Sequence, residues 1–235
     1  AVQSKVARLN DAAIATLRQL IKVTDDGDAE KPDYFFRLAE HFRDKKGEYM
    51  FRARELDERI FVASTPREKE QLKARQKQYE KLEQEWMLGA IKLYLTLANT
   101  PAYAKYARMD EVLFNLADML NQAKRNDRAR VFFGELIRNY PQSRYIPDAY
   151  LSFAEHYFNE GEVEEALRRY EQVARYKDSA LYGYAIYKQA WCWINLNDPR
   201  QALELFLRVI REGTQFAGTA KSKLMLVREA KKDLV

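Results

Sequence analysis

One Cys and two His in 235 residues exclude a disulfide framework, a Cys/His zinc centre and a dithiol redox pair, each of which needs more thiols or imidazoles. Eight Gly and six Pro, roughly half the usual share of these turn formers, argue against many short strands joined by tight turns and point to long helices. No apolar run approaches the ~18 residues that would span a bilayer. The formal charge of +5 is the remainder of 40 basic and 35 acidic residues. They are interleaved, with no basic run of five, whereas a nucleic-acid binder gathers its cations on one face. No nucleic-acid partner is expected. A phosphate-binding Gly loop, HExxH and GxSxG are all absent, so the expectation is a protein that is not an enzyme and holds no cofactor or metal. What is present is 47% hydrophobic and 13% aromatic residues, enough for an independently folded core.

That material is organised as a repeat. Leu113-Phe114-Asn115-Leu116-Ala117, Tyr150-Leu151-Ser152-Phe153-Ala154 and Ile186-Tyr187-Lys188-Gln189-Ala190 align as first helices. Second helices follow with Ala129, Ala166 and Ala202, in steps of 37 and 36, and each Ala is followed four residues later by Phe133, Tyr170 or Phe206. Small residues let two helices approach closely and the aromatics fill the gaps between turns. Helix pairs are predicted over 110–124 and 127–139, 146–159 and 162–175, and 180–195 and 199–211, within repeat units 109–141, 146–178 and 180–213. Asp198-Pro199-Arg200-Gln201 reads as an N-cap, a Pro at the first helical position and a capping-box Gln, and Gly161 punctuates the middle hairpin.

The N-terminal part is a stretched, degenerate unit over 31–100. Phe35, Leu38, Ala39 and Phe42 repeat the first-helix pattern, and Trp86, Ala90, Tyr94 and Leu97 the second, with roughly 40 additional residues between Lys46 and Trp86. Tyr49, Ala53, Leu56 and Ile60 face Leu72, Tyr79, Leu82 and Trp86 as a narrow coiled-coil-like seam. A long helical hairpin is predicted, turning at Val62 to Thr65, where Thr65-Pro66-Arg67-Glu68 is a second capping box. An N-terminal helix in 1–30 should bury Val6, Leu9, Ala13, Leu17, Leu20 and Ile21. A capping helix in 217–235 should bury Ala220, Leu224, Val227 and Ala230. The fold class is therefore all-α: a single right-handed α-solenoid of antiparallel helix pairs with a long N-terminal hairpin.

Residues on first helices that do not fit the packing pattern are the candidate partner contacts, because first helices line the concave face of such an array. They are Asn115, Asp118, Asn121 and Gln122, then Ser152, Glu155, Phe158 and Asn159, then Tyr184, Tyr187, Lys188 and Trp191. Amides can bond an extended peptide's backbone, and Tyr and Trp give large contact area at low entropic cost. The competing reading is that Tyr184, Tyr187 and Trp191 lie under the C-terminal helix. Asp118 and Glu155 stand where a terminal-carboxylate clamp would need cations. His41 and His156 read as packing histidines, and Cys192 as a buried inert thiol. The rival contact site is the hairpin tip, Phe61 and Val62.

Over 110–211 the repeats resemble the tetratricopeptide family. Residues Tyr106 to Phe114 and Tyr140-Pro141-Gln142-Ser143-Arg144-Tyr145-Ile146-Pro147-Asp148-Ala149-Tyr150 are similar to periplasmic and outer-membrane-associated envelope proteins of that family. With the long hairpin, the chain looks most like those of myxobacterial adventurous gliding motility. The resemblance implies a non-catalytic scaffold whose partners are other proteins of an envelope assembly. It further implies a periplasmic mature chain, associated with the outer membrane peripherally through those partners; a start at Ala1 without Met fits a trimmed chain and a signal-cleaved one alike. A peptide- or glycan-recognition module is the alternative, and a hydrolase with an unrecognised site is a more distant one.

Overall fold

The computed structural model describes residues 2–233, with side chains from residue 6 onward. Ten α-helices run α1 (Val2–Val23), α2 (Lys31–Val62), α3 (Pro66–Asn99), α4 (Met109–Gln122), α5 (Asn126–Asn139), α6 (Ile146–Asn159), α7 (Val163–Val173), α8 (Tyr182–Asn195), α9 (Pro199–Glu212) and α10 (Ala220–Lys232), with a 3₁₀ turn at Pro101–Tyr103. There is no strand among the described residues. This is the all-α, paired-helix class of the α-solenoid. Two compact units divide at Ala129 and Arg130.

In the first unit α2 and α3 form the long hairpin. Thr65 caps α3 by accepting from the Glu68 N–H at 3.2 Å, and Pro66 opens the helix where no N–H is needed. The seam is held by Phe42 edge-on to Trp86 at 4.8 Å, by Tyr49 beside Tyr79, and by Gln76 Nε2 donating to the Ala53 carbonyl at 3.2 Å. A Cβ at Gly89 would meet the Phe42 ring at 2.7 Å, so the helices touch there through bare backbone. Of the expected first-helix set Leu38, Ala39 and Phe42 are buried, but at its first position the fully buried ring is Phe36 and Phe35 is only half-buried. The α1 stripe also differs: Ile14 and Leu17 are buried while Val6 and Leu9 are exposed. Polar contacts reinforce α1 on α2. His41 Nδ1 lies 2.5 Å from Asn10 Oδ1, and the buried Lys45 ammonium bonds Asp11 at 2.6 Å and Glu48 at 3.4 Å. His41 therefore packs and pins.

The second unit repeats one design twice. Ala154 on α6 and Ala166 on α7, then Ala190 on α8 and Ala202 on α9, are completely buried, as are Val173 and Val209. Bare methyls at these positions leave room for Tyr170 and Phe206, which are buried as well. On α10 the expected inward set fails in part. Leu224 and Ala220 face solvent, and the inward face is Leu226, Val227 and Ala230. Val227 and Ala230 thus face inward as expected, and Leu226 takes the place expected of Leu224.

Each repeat closes its first helix in the same way. Lys124 and Asn197 have φ of 57° and 60°, and Gly161 has 81°; these positions are again 37 and 36 apart. The N–H following each reaches back five residues, Arg125 to Leu120, Glu162 to Tyr157 and Asp198 to Trp193, at 2.8 to 2.9 Å. That is the Schellman closure, in which glycine avoids the left-handed penalty that a Cβ brings. Lys124→Gly is therefore expected to stabilise the fold by about 1 kcal/mol and Gly161→Ala to destabilise it by about 1 kcal/mol, read as opposite shifts in the guanidinium midpoint.

Candidate functional site

The second unit brings four of the sequence-selected residues together. Glu155 and Phe158 lie three apart on α6, and Tyr184 and Lys188 four apart on α8, so each pair shares a helix face. The Tyr170 hydroxyl donates to Glu155 Oε1 at 2.6 Å and the Tyr184 hydroxyl to the same oxygen at 3.1 Å. Lys188 Nζ stands 3.6 Å from Glu155 Oε2 and 3.8 Å above the Phe158 ring. Below them Gln189 Nε2 donates to the Tyr170 carbonyl at 3.2 Å. Burial, and then the bond to Glu155, push the Tyr170 hydroxyl well above the usual phenol range. Tyr184 moves the same way, through burial and the Glu155 charge. Both phenols thus remain donors at neutral pH. A carboxylate already accepting from two phenols and facing an ammonium is a clamp that fixes aromatic and cationic side chains, and it has little lone-pair capacity left to act as a base.

The first unit uses its candidates differently. Asn115 is only 3% exposed, and its Oδ1 accepts from Arg43 Nη1 at 2.8 Å. This overturns the expectation of an accessible contact: the amide joins α4 to α2. Gln122 donates to Asp118 at 2.8 Å and accepts from Lys46 Nζ at 2.7 Å, and Lys46 also pairs with Glu83 at 3.7 Å. Asn121 is half-buried and engaged. These polar residues join first helices to each other. Arg43 and Lys46, their partners, went unselected because they belong to the irregular unit, whose register the repeat arithmetic does not fix.

The remaining candidates separate. Tyr187 donates to Asp233 Oδ2 at 2.5 Å, and Trp191 stands edge-on to Phe206 at 6.0 Å, both packed on the cluster that includes Ala230 of α10. Tyr187 is thereby tied to the end of the C-terminal helix and Trp191 to α9, whereas Tyr184 is partly exposed. Ser152 is half-buried and Asn159 exposed at the end of α6. At the hairpin tip Phe61 is 87% and Val62 65% exposed.

Cys192 is completely buried. Burial pushes its thiol up to about 12, Glu155 adding to the effect and Lys188 opposing it. The native chain should therefore fail to react with a disulfide reagent at pH 8 and release one thiol equivalent on denaturation. Rapid reaction of the folded chain would contradict this burial. Among the described residues no group of three or more His, Cys, Asp or Glu side chains could hold a metal ion, and no helix is long and apolar enough to cross a membrane.

A search of curated proteins finds none that matches the chain. The family model of the tetratricopeptide repeat matches residues 111–143 and 184–212. The second of these spans all but the start of the α8–α9 pair, and the α6–α7 pair between them keeps the same alanine register. The chain thus carries tetratricopeptide repeats.

Proposed function

We propose that the chain is a non-catalytic protein-interaction scaffold of a bacterial cell-envelope assembly. The reading extends to a periplasmic location, peripheral contact with the outer membrane through partners, and service to a gliding-motility machine. Tetratricopeptide repeats support protein partners in general. The observation that carries the scaffold reading is the Glu155 clamp, which holds the partly exposed Tyr184 and the largely covered Lys188 against one carboxylate. Preorganised aromatic and cationic groups lose little entropy on binding. The wording of residues 140–150 and the long hairpin support the envelope part.

Fractionation with an antibody to the chain tests location: recovery in the periplasmic and outer-membrane fractions is expected, and recovery with cytoplasmic markers overturns it. Pull-down from envelope extract of the source cell tests the contact. Defined proteins retained by the wild type should be lost with Tyr184→Ala plus Lys188→Ala. Loss instead with Phe61→Asp plus Val62→Asp moves the contact to the hairpin tip. Turnover of cell-wall fragments, abolished by a single substitution, would replace the scaffold by an enzyme.

A further inference from the structure

Two unpartnered surfaces of this chain match each other. The first is a groove of about 1140 Å³ between α1 and α2, with Val6, Leu9 and Phe51 as its exposed apolar lining and Asp44, Glu48 and Glu55 along one wall. Its cations are already committed. Arg43 donates to Asn115, and Arg52 bonds Glu48 and stacks over Tyr49; Glu48, paired also with Lys45, is thereby neutralised, so the free carboxylates of the wall are Asp44 and Glu55. Asp44 and Glu55 are exposed, and Glu58 extends the same acidic stripe, since positions 44, 48, 51, 55 and 58 step by 3 or 4. The second surface is the outer face of α10. Leu224 and Met225 are exposed there, with Lys221, Arg228, Lys231 and Lys232 around them. The apolar residues in both surfaces are 53 to 62% exposed, more than a solvated terminal helix of a repeat array needs.

We propose that α10 of one copy docks in the α1–α2 groove of a second copy, so that the chain self-associates head to tail. A basic helix face with a two-residue apolar centre meets an acidic wall above an apolar floor, which is charge and chemical complementarity within one sequence. The dimensions agree as well. The stretch of α2 from Asp44 to Glu55 rises about 17 Å and the thirteen residues of α10 about 20 Å. Because each surface is exposed in its own chain, neither is satisfied internally. The interface is heterologous, leaving a free groove at one end and a free helix at the other, so growth does not stop at two unless the rotation closes a ring.

Sedimentation equilibrium of the full chain tests this. The weight-average mass should rise above 27.7 kDa with concentration, with a dissociation constant on the order of 10 μM, and association should weaken at least tenfold at about 1 M salt. Phe51→Glu and Leu224→Glu should each reduce association by at least tenfold. Mixed together they should form a one-to-one dimer and nothing longer, because the first keeps an intact α10 and the second an intact groove. A wild-type chain that remains monomeric at about 1 mM overturns the proposal and leaves the groove to a different protein. Association abolished by Leu224→Glu but untouched by Phe51→Glu, or a mixture that stays monomeric, overturns it too. Should either variant misfold by circular dichroism, Glu55→Lys and Arg228→Glu replace it: each alone should weaken association and the mixture restore it, and failure to do so counts against the contact.

Discussion

Phe36→Ala is expected to destabilise the first unit by about 4 kcal/mol, and Phe35→Ala, one residue earlier, by about 1 kcal/mol. Phe36 is completely buried. Its ring meets Tyr94 edge-on at 5.8 Å and lies 6.2 Å from Tyr106, and the Arg108 guanidinium sits 3.8 Å above it. Those three partners come from α3, from the segment after the 3₁₀ turn and from the start of α4, so one ring ties α2 to everything that follows it in the unit. Its removal leaves a cavity that collapses poorly, because Tyr94 against it is itself completely buried. It also leaves Arg108 without its ring, although the bond to Glu111 at 3.0 Å remains. Phe36→Leu, which keeps most of the volume, should lose about 1.5 kcal/mol. Phe35 lies beside Tyr103, at 6.0 Å, and stays partly wet. Guanidinium unfolding followed by Trp86 emission, with Trp191 and Trp193 replaced by Phe, isolates the first unit. Equal losses for Phe35→Ala and Phe36→Ala would show that the hairpin does not pack as described.

That one-residue offset marks where the sequence stops being legible. In the regular repeats Ala129, Ala166 and Ala202 recur at nearly constant spacing, a close crossing tolerates little but a methyl, and the burial of all three follows from the register. The hairpin caps are equally local: Thr65 and Asp198 bond within three residues of themselves, so nothing distant alters them. The first position of the first-helix face of α2 has no such anchor. Phe35 and Phe36 are both aromatic, and which is covered is decided by Tyr94 of α3 and by the segment after the 3₁₀ turn, which brings Tyr106 and Arg108 onto Phe36. Asn115 misleads for a related reason. A polar residue inside an apolar pattern reads as an exposed contact, yet it is buried because Arg43, 72 residues away, supplies a donor. The α1 and α10 stripes fail differently. Each terminal helix packs on one side only, so its apolar residues exceed what that side covers, and periodicity cannot choose between them. The left-handed closures at Lys124 and Asn197 are less legible than that at Gly161, because Lys carries no such signal and Asn a weaker one than Gly.

Tyr170→Ala is expected to destabilise the second unit by about 4 kcal/mol, and Tyr170→Phe by about 1 to 2 kcal/mol. The alanine variant removes a completely buried ring from between α6, α7 and α8, together with the edge contact to Phe158 at 6.3 Å. The phenylalanine variant keeps the ring and deletes only the hydroxyl that donates to Glu155. Since Glu155 is partly exposed and retains Tyr184 and Lys188, water can replace the lost donor in part. Glu155→Gln should fall in the same range as Tyr170→Phe, and the double variant should destabilise by less than the sum, because both substitutions break one bond. The pH dependence separates the hydroxyl from the ring. The folded phenol titrates above its unfolded value near 10, so its contribution is fully present below pH 10 and is lost as pH climbs through the folded value, the unfolded chain releasing the proton first. Wild-type stability of the second unit, followed by Trp191 and Trp193 emission with Trp86 replaced, should therefore decline between pH 9.5 and 11.5, approximately. Tyr170→Phe should flatten that decline while Tyr184, raised for similar reasons, keeps part of it. An unchanged slope in Tyr170→Phe would mean that the hydroxyl is hydrated in the native state, and the Glu155 clamp would then lose its principal donor.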